Sequence, residues 1–153
     1  MERTREKRWA ICRAGHFHRG VYGGAGLLLR YAPHSQTPVY LLVEQARSLD
    51  ARAWGVPGGA VKQGETPRVA ARRVAAEEIW PVPRYRVRGI DVEDCGGGWQ
   101  FHIVSADVTE PFIAHPVKET AATGWFTIEQ ISALPLLREI RRWVAERVMR
   151  SAQ

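Results

Sequence analysis

The chain has 153 residues, of which 45% are hydrophobic and 25% charged, an ordinary composition for one globular domain. We therefore predict a single domain over residues 1–153, with 1–8 as a charged, flexible tail. No apolar run is long enough to cross a membrane, and the N-terminus lacks the apolar core of a secretory signal, so we expect a cytoplasmic protein without membrane contact.

The formal net charge of +6 attracts polyanions such as nucleotides and nucleic acids. The basic residues are spread over the N-terminal tail and the last helix, and no aromatic-basic RNA motif occurs, so nucleic acid is not the expected partner. The two cysteines, Cys12 and Cys95, are far apart and have no clustered partners. This spacing argues against a zinc site and favours free thiols.

The predicted elements follow one another as short strands and helices. Apolar runs bounded by turn residues predict strands at 22–31, 39–43, 86–92, 99–108 and 124–127. Thr66 and Pro67 have the residue types preferred at a helix start, and they predict a helix over 68–79 that ends at Trp80-Pro81. Further helices are predicted at 128–133 and 136–149. The turns predict two hairpins, and the mixture favours a mixed sheet covered by helices.

A glycine-rich loop at 54–64 leads into the first helix, which carries the adjacent carboxylates Glu77 and Glu78 near its C-terminal end. Carboxylate oxygens and the carbonyls of a glycine loop are ligands that Mg²⁺ and Mn²⁺ prefer, and these ions usually also hold phosphate oxygens. The pattern alone leaves a second interpretation open, which is an acidic helix face exposed to solvent.

This segment resembles the Nudix box, G-x5-E-x7-R-E-U-x-E-E-x-G-U, where U is a bulky aliphatic residue. Gly59, Glu65, Arg73 and the pair Glu77 and Glu78 match the box at its fixed spacing. The preceding segment 54–59 is similar to the family's usual entry into the box. The resemblance implies an α/β Nudix fold, a mixed β-sheet sandwiched between α-helices.

The chain departs from the box at Val74, where the family has glutamate, and at Trp80-Pro81, where it has glycine and an aliphatic residue. Trp80 before proline is expected to close the helix in extended geometry, a structural change. In the family, the glutamate at the position of Val74 pairs with the arginine and helps to bind metal. Arg73 therefore needs another partner, and Glu65 and Glu77 are the candidates.

The resemblance also implies a set of site residues. Glu77, Glu78 and the Gly59 carbonyl would bind Mg²⁺ or Mn²⁺, and Glu78, Glu65 and Arg73 would be catalytic. Glu119 lies six residues before Trp125, in a segment similar to the family's last core strand. It is a candidate general base or further metal ligand, and the alternative is a solvated loop residue.

Three residues near the box are candidates for substrate contact. Arg47 and Arg52 lie in the loop before it and could meet phosphates, and Trp54 could stack on a base, with core packing as the alternative. The implied function is metal-dependent hydrolysis of the diphosphate linkage in a nucleoside diphosphate joined to another moiety. We expect reduced or atypical activity because of Val74. A homodimer is compatible with the resemblance, since many relatives dimerise, but the sequence does not determine the oligomeric state. A non-catalytic Nudix domain that senses a nucleotide-like ligand is the alternative.

Overall fold

The structure, a computed structural model, describes residues 9–11, 17–46, 52–96 and 98–152. The strands in chain order are β1 Trp9–Ile11, β2 Phe17–Arg19, β3 Gly24–Tyr31, β4 Val39–Gln45, β5 Trp54–Gly55, β6 Gly58–Ala60, β7 Ile79–Trp80, β8 Arg86–Asp94, β9 Gln100–Val108, β10 His115–Pro116 and β11 Thr120–Phe126. The helices are α1 Pro67–Glu78, α2 Ile128–Ser132 and α3 Arg138–Ser151.

The main sheet has seven strands and mixed polarity. Its central order is β11, β4, β3, β9, β8, with β5 added to β4 and β6 added to β3. The pair β3 and β9 is parallel, and the other pairs in this sheet are antiparallel. Both predicted hairpins, β3 with β4 and β8 with β9, are confirmed.

Helices cover both faces of this sheet. Side chains on a strand alternate between its two sides, so the central strands present apolar side chains to both helical layers. Leu27 and Leu29 of β3 pack in one core cluster with Ala70 and other residues of α1. Leu28 packs in a second cluster on the opposite side with Ile140 of α3. The predicted architecture, a mixed sheet between helices, is confirmed.

Helix α1 runs one residue earlier at each end than the predicted range 68–79. The Thr66 side chain accepts a hydrogen bond from the Val69 N–H at 3.3 Å, and Pro67 occupies the first turn, where its missing N–H is not needed. Ile79 closes the helix in extended geometry, and Trp80 continues into β7. Trp80, which stands in place of the box glycine, therefore lies in the strand that follows the helix end.

Some elements differ from the predictions. The glycine-rich segment 54–64, expected to be a loop, contains β5 and β6, because glycines pair through their backbone without leaving a side-chain pattern. Strand β11 begins four residues before the predicted start at 124. No helix in the described ranges is long and apolar enough to span a bilayer.

The prediction of free thiols is wrong for Cys95, which is disulfide-bonded in the structure. A wide separation in sequence does not prevent two cysteines from meeting once the chain is folded, so spacing could not exclude the bond. Cys12 and the predicted tail 1–8 lie outside the described residues.

Gly26 lets the segment that precedes β6 approach the centre of the sheet. A Cβ on Gly26 would overlap Cγ2 of Val56 and would lie 3.1 Å from the Pro57 carbonyl oxygen. That carbonyl accepts a hydrogen bond from the Leu27 N–H at 2.9 Å. The close approach fixes the glycine segment 58–60 against β3, where it faces α1.

We predict that Gly26→Ala destabilises the protein by about 1–3 kcal/mol, because Val56 is buried and cannot move away without straining the core. Urea denaturation of the purified variant measures this loss. Gly89→Ala is the matched control, since a Cβ there meets no atom within 4 Å. Equal unfolding midpoints for the two variants would contradict the close-approach argument.

Candidate active site

Two positions of α1, one helical turn apart, face the glycine segment. The Gly58 N–H donates a hydrogen bond to Oε2 of Glu78 at 3.3 Å. The methyl carbons of Val74 lie 3.3 and 3.5 Å from the place where a Cβ on Gly59 would be. Residues four apart share a helix face, so Val74 and Glu78 look toward the same segment. The box position that lacks its glutamate therefore lies beside Gly59.

Glu78 is a carboxyl group in an unfavourable place for a negative charge. The pKa of Glu78 is raised to about 7, mainly by burial and also by the nearby carboxylates Glu77 and Glu119, against the lowering effect of the Gly58 N–H. A raised carboxyl pKa with acidic neighbours means that positive charge is missing around the group. A cation bound at this point would correct that imbalance.

The guanidinium of Arg73 is not paired with Glu78, because it forms hydrogen bonds with other groups. Its Nε and Nη2 donate to the two carboxylate oxygens of Glu65, each at 2.8 Å, and Nη2 also donates to the Ala60 carbonyl at 2.9 Å. Nη1 donates to Oε1 of Glu77 at 3.3 Å. Both candidate partners are engaged, and the two-pronged contact with Glu65 is the closer one.

Glu65 in turn fixes the loop that precedes α1. Its Oε1 accepts the Lys62 N–H at 2.8 Å. The hydrogen bonds from Arg73 hold the pKa of Glu65 below its usual value, and Glu65 raises the pKa of Arg73. The pair is therefore charged at neutral pH, and it joins the middle of the helix to the loop at 60–65.

Glu119 lies in the turn before β11, and the backbone brings this turn to the end of α1. Strand β10 pairs with β7, and the Val117 N–H donates to the Glu78 carbonyl at 2.8 Å. The Glu119 side chain is exposed, and its charge contributes to the raised pKa of Glu78. The structure thus brings Glu119 near the adjacent pair Glu77 and Glu78, from which it is widely separated in sequence.

The predicted substrate residues are not gathered in the same way. Arg52 is exposed, in the left-handed region of backbone space. The Trp54 ring packs edge-on against Phe126 at 5.1 Å, in the cluster on the α3 side of the sheet. This contact matches the core-packing alternative for Trp54. Arg47 lies outside the described residues.

The residues fit a divalent cation in chemistry, although their side chains are not drawn together around a common centre. Within the described ranges there is no group of three or more His, Cys, Asp or Glu side chains arranged to hold a metal ion. Glu77 turns toward Arg73, whereas Glu78 turns toward Gly58. The set Gly59, Glu77, Glu78 and Glu119 stays a prediction, supported by the excess of negative charge around Glu78.

Two backbone groups of the site were not identified from the sequence. The Gly58 N–H contacts Glu78, and the Ala60 carbonyl binds Arg73. The clustered glycines signal that the backbone is approached closely here, but they do not show which groups are used.

Comparison with known proteins shows the family of this chain. The model of the NUDIX domain matches residues 23–147. A Mycobacterium tuberculosis protein, named as a candidate 8-oxo-dGTP diphosphatase, is 36% identical over 135 residues, which cover 84% of this chain and 62% of the relative. A Bifidobacterium longum nucleoside triphosphate pyrophosphatase/Nudix hydrolase fusion protein is 35% identical over 140 residues, covering 87% of this chain and 29% of the fusion.

The fold is also shared with solved structures. The crystal structure of RenU, a Nudix hydrolase from M. smegmatis, has a TM-score of 0.80 and 32% identity, covering 95% of this chain and 94% of RenU. The chain spans less than two thirds of the curated relatives it matches but nearly all of RenU. The family model covers most of the chain, and RenU is 32% identical over nearly the full length of both proteins, so the chain belongs to the Nudix family.

Proposed function

We propose that this protein is a metal-dependent hydrolase that cleaves the diphosphate linkage of a nucleoside diphosphate joined to another moiety. Nudix hydrolases generally use divalent metal ions. The observation that supports the assignment is the position of Glu78, whose carboxyl meets the Gly58 N–H beside two further carboxylates. The proposed site needs added positive charge, which a divalent ion would provide.

Glu78, Glu77 and the Gly59 carbonyl are the proposed ligands of Mg²⁺ or Mn²⁺. Such an ion, when bound, offsets the charge of a diphosphate and acts as a Lewis acid on it. Arg73 and Glu65 keep the glycine loop and the helix in register, so that ligands from both segments stay close together. Glu77 can join the set by releasing its 3.3 Å hydrogen bond from Arg73, the longest of the Arg73 contacts.

Glu119 is the proposed general base. Its exposed side chain is open to water, and its turn is fixed to the Glu78 carbonyl through Val117. An Oε atom of Glu119 would accept the proton of the attacking water. A base in such a position typically supplies ~10²–10⁴-fold in rate.

Val74 sets the expected level of activity. Its side chain is buried and fills the space beside Gly59, where the family's glutamate would add another carboxylate. Fewer charged ligands mean weaker metal binding, so we propose reduced activity. The same observation favours a second function, in which the domain binds a nucleotide-like ligand without cutting it.

The first substrate to test is 8-oxo-dGTP, because the M. tuberculosis relative is named for it. The other substrates in the panel should be unmodified nucleoside triphosphates, ADP-ribose and nucleotide sugars. Arg47 and Arg52 are the proposed phosphate contacts, and Trp54 is the proposed contact of the base. Release of nucleoside monophosphate with Mg²⁺ or Mn²⁺ would support hydrolysis. Tight binding without product under both ions would select the sensor function.

We predict that Glu78→Gln lowers metal-dependent cleavage by at least ~10²-fold, because it removes the charge of a proposed metal ligand. Product formation over a series of Mg²⁺ and Mn²⁺ concentrations measures the effect. Glu129→Gln is the control, since Glu129 is exposed in the first turn of α2. Undiminished cleavage by a folded Glu78→Gln variant would remove Glu78 from the site.

We also predict that Val74→Glu raises turnover and lowers the metal concentration for half-maximal activity by about tenfold or more. The new carboxylate would lie beside Gly59, on the same helix face as Glu78. Val74→Gln is the matched control, because it has the same shape without the charge. If both variants fold and show the same metal dependence, the proposed effect of Val74 is wrong.

A third prediction concerns stability in the absence of metal. Between the ordinary carboxyl pKa of 4.5 and about 7, Glu78 binds more protons in the folded than in the unfolded state. The free energy of unfolding should therefore fall as pH rises through this window, by about 1–3 kcal/mol. Urea denaturation in EDTA at several pH values measures the slope.

In that experiment Glu78→Gln should flatten the slope, because the amide does not titrate, while Glu129→Gln should leave it unchanged. A slope identical in wild type and Glu78→Gln would mean that Glu78 has an ordinary pKa in the folded protein.

A further inference from the structure

Trp80 differs from the other tryptophans whose burial the structure describes. Its side chain is 66% exposed, whereas Trp99 and Trp143 are buried, and Trp54 and Trp125 are half-buried. A tryptophan ring has a large apolar area, most of which is buried in the average protein. The exposed ring of Trp80 therefore offers apolar area that a ligand can cover.

Trp80 lies at the end of α1 that carries Glu78. The residue between them, Ile79, is extended, and its side chain is buried in the core on the α1 side of the sheet. Successive side chains along an extended segment point to opposite sides, so Trp80 lies on the outer side of β7. The rise of a strand, about 3.3 Å per residue, puts the Cα atoms of Glu78 and Trp80 roughly 7 Å apart.

His115 stands beside Trp80 on the neighbouring strand. The two residues are paired in the register of β7 with β10, and their ring centroids are 6.1 Å apart at an interplanar angle of 35°. His115 is exposed as well. The two rings together form one aromatic surface that is open to solvent, the Trp80–His115 surface.

The strands of this surface also carry the acidic groups of the site. The main-chain contact continues from His115 to the Val117 N–H, which donates to the Glu78 carbonyl, and Glu119 follows two residues later. The Trp80–His115 surface therefore adjoins Glu78 along one strand and leads to Glu119 along the other. A ligand with its phosphates bound near these carboxylates can place its remaining groups on the aromatic rings.

We propose that the Trp80–His115 surface stacks on the nucleobase of the ligand, which makes Trp80 a specificity-determining residue of the site. The inference rests on the proposed function, because it places the base next to phosphates held at Glu78. Every nucleobase has a flat π-face, so stacking selects a nucleotide over a bare phosphate chain without choosing among bases. The box has glycine at the position of Trp80, so this surface is a feature of the present chain and not of the box.

Trp80 has a larger accessible ring than Trp54, the other ring proposed for the base. The Trp54 ring is half-buried and packs edge-on against Phe126 in the cluster on the α3 side of the sheet. Helix α1, which carries Glu78, packs on the opposite side. The principal stacking contact is therefore assigned to Trp80.

Calorimetric titration of the full chain in Mn²⁺ tests the contact with two probes that share one phosphate chain. The first is the α,β-methylene analogue of dGTP, which resists cleavage between its first two phosphates. The second is inorganic tripolyphosphate, which has no base. Trp80→Leu should raise the dissociation constant of the dGTP analogue by about tenfold or more, since stacking of one base on an aromatic ring has an effect of this size. The dissociation constant of tripolyphosphate should not change.

Two further variants serve as controls. Trp80→Phe keeps an aromatic ring and should retain most of the affinity for the dGTP analogue, whereas leucine keeps only the apolar character. Met149→Ala removes an apolar side chain that is 69% exposed on α3, and it should leave both dissociation constants unchanged. Circular dichroism and unfolding midpoints confirm that the variants are folded.

The outcomes separate this inference from the proposed function. The stacking contact is wrong, and the acidic site stands, if tripolyphosphate binding needs Mn²⁺ and Glu78 but Trp80→Leu leaves the affinity for the dGTP analogue unchanged. An equal loss of affinity for both probes in Trp80→Leu also overturns stacking, because it would mean that Trp80 shapes the phosphate site. If neither probe binds to the wild-type chain, the proposed function and the inference fail together.

Discussion

The arrangement of the site depends on one side chain, Arg73, which joins the middle of α1 to the loop before it. Its guanidinium binds both oxygens of Glu65 and the Ala60 carbonyl, and these contacts hold the glycine segment against the helix. That charge is paired with Glu65, whereas the Glu78 carboxylate accepts only the Gly58 N–H among the described hydrogen bonds. The same interaction that builds the site thus leaves it short of positive charge, which is the condition for binding a cation.

Val74 changes this balance without disturbing the fold. A buried valine beside Gly59 gains packing, and it also removes a negative charge from a place where Glu77, Glu78 and Glu119 already repel one another. Valine at this position should stabilise the metal-free protein, and glutamate should stabilise the metal-bound protein. Valine at this position is therefore compatible with a domain that binds its ligand without cutting it.

The sequence was most informative where a feature is local. The start of α1 follows from Thr66 and Pro67, and its end follows from Trp80-Pro81, because capping and proline sterics act over a few residues. The box spacing suggested Glu65 and Glu77 as the partners of Arg73, and both accept hydrogen bonds from it. The disulfide at Cys95 and the backbone groups that face Glu78 and Arg73 were not predicted, since they depend on how distant segments meet. The roles of Glu119, Arg52 and Trp54 stay predictions for the same reason.

The short pairing of β7 with β10 leaves the side chains of these two strands free to vary. It joins the end of α1 to the turn of Glu119 through main-chain hydrogen bonds, which any residue with a free N–H and carbonyl can make. Trp80 and His115, both exposed on these strands, can therefore be exchanged without moving the acidic turn. The rim beside Glu119 can therefore take different side chains, such as the tryptophan in the glycine position of the box, while the main-chain pairing that holds the acidic turn stays the same.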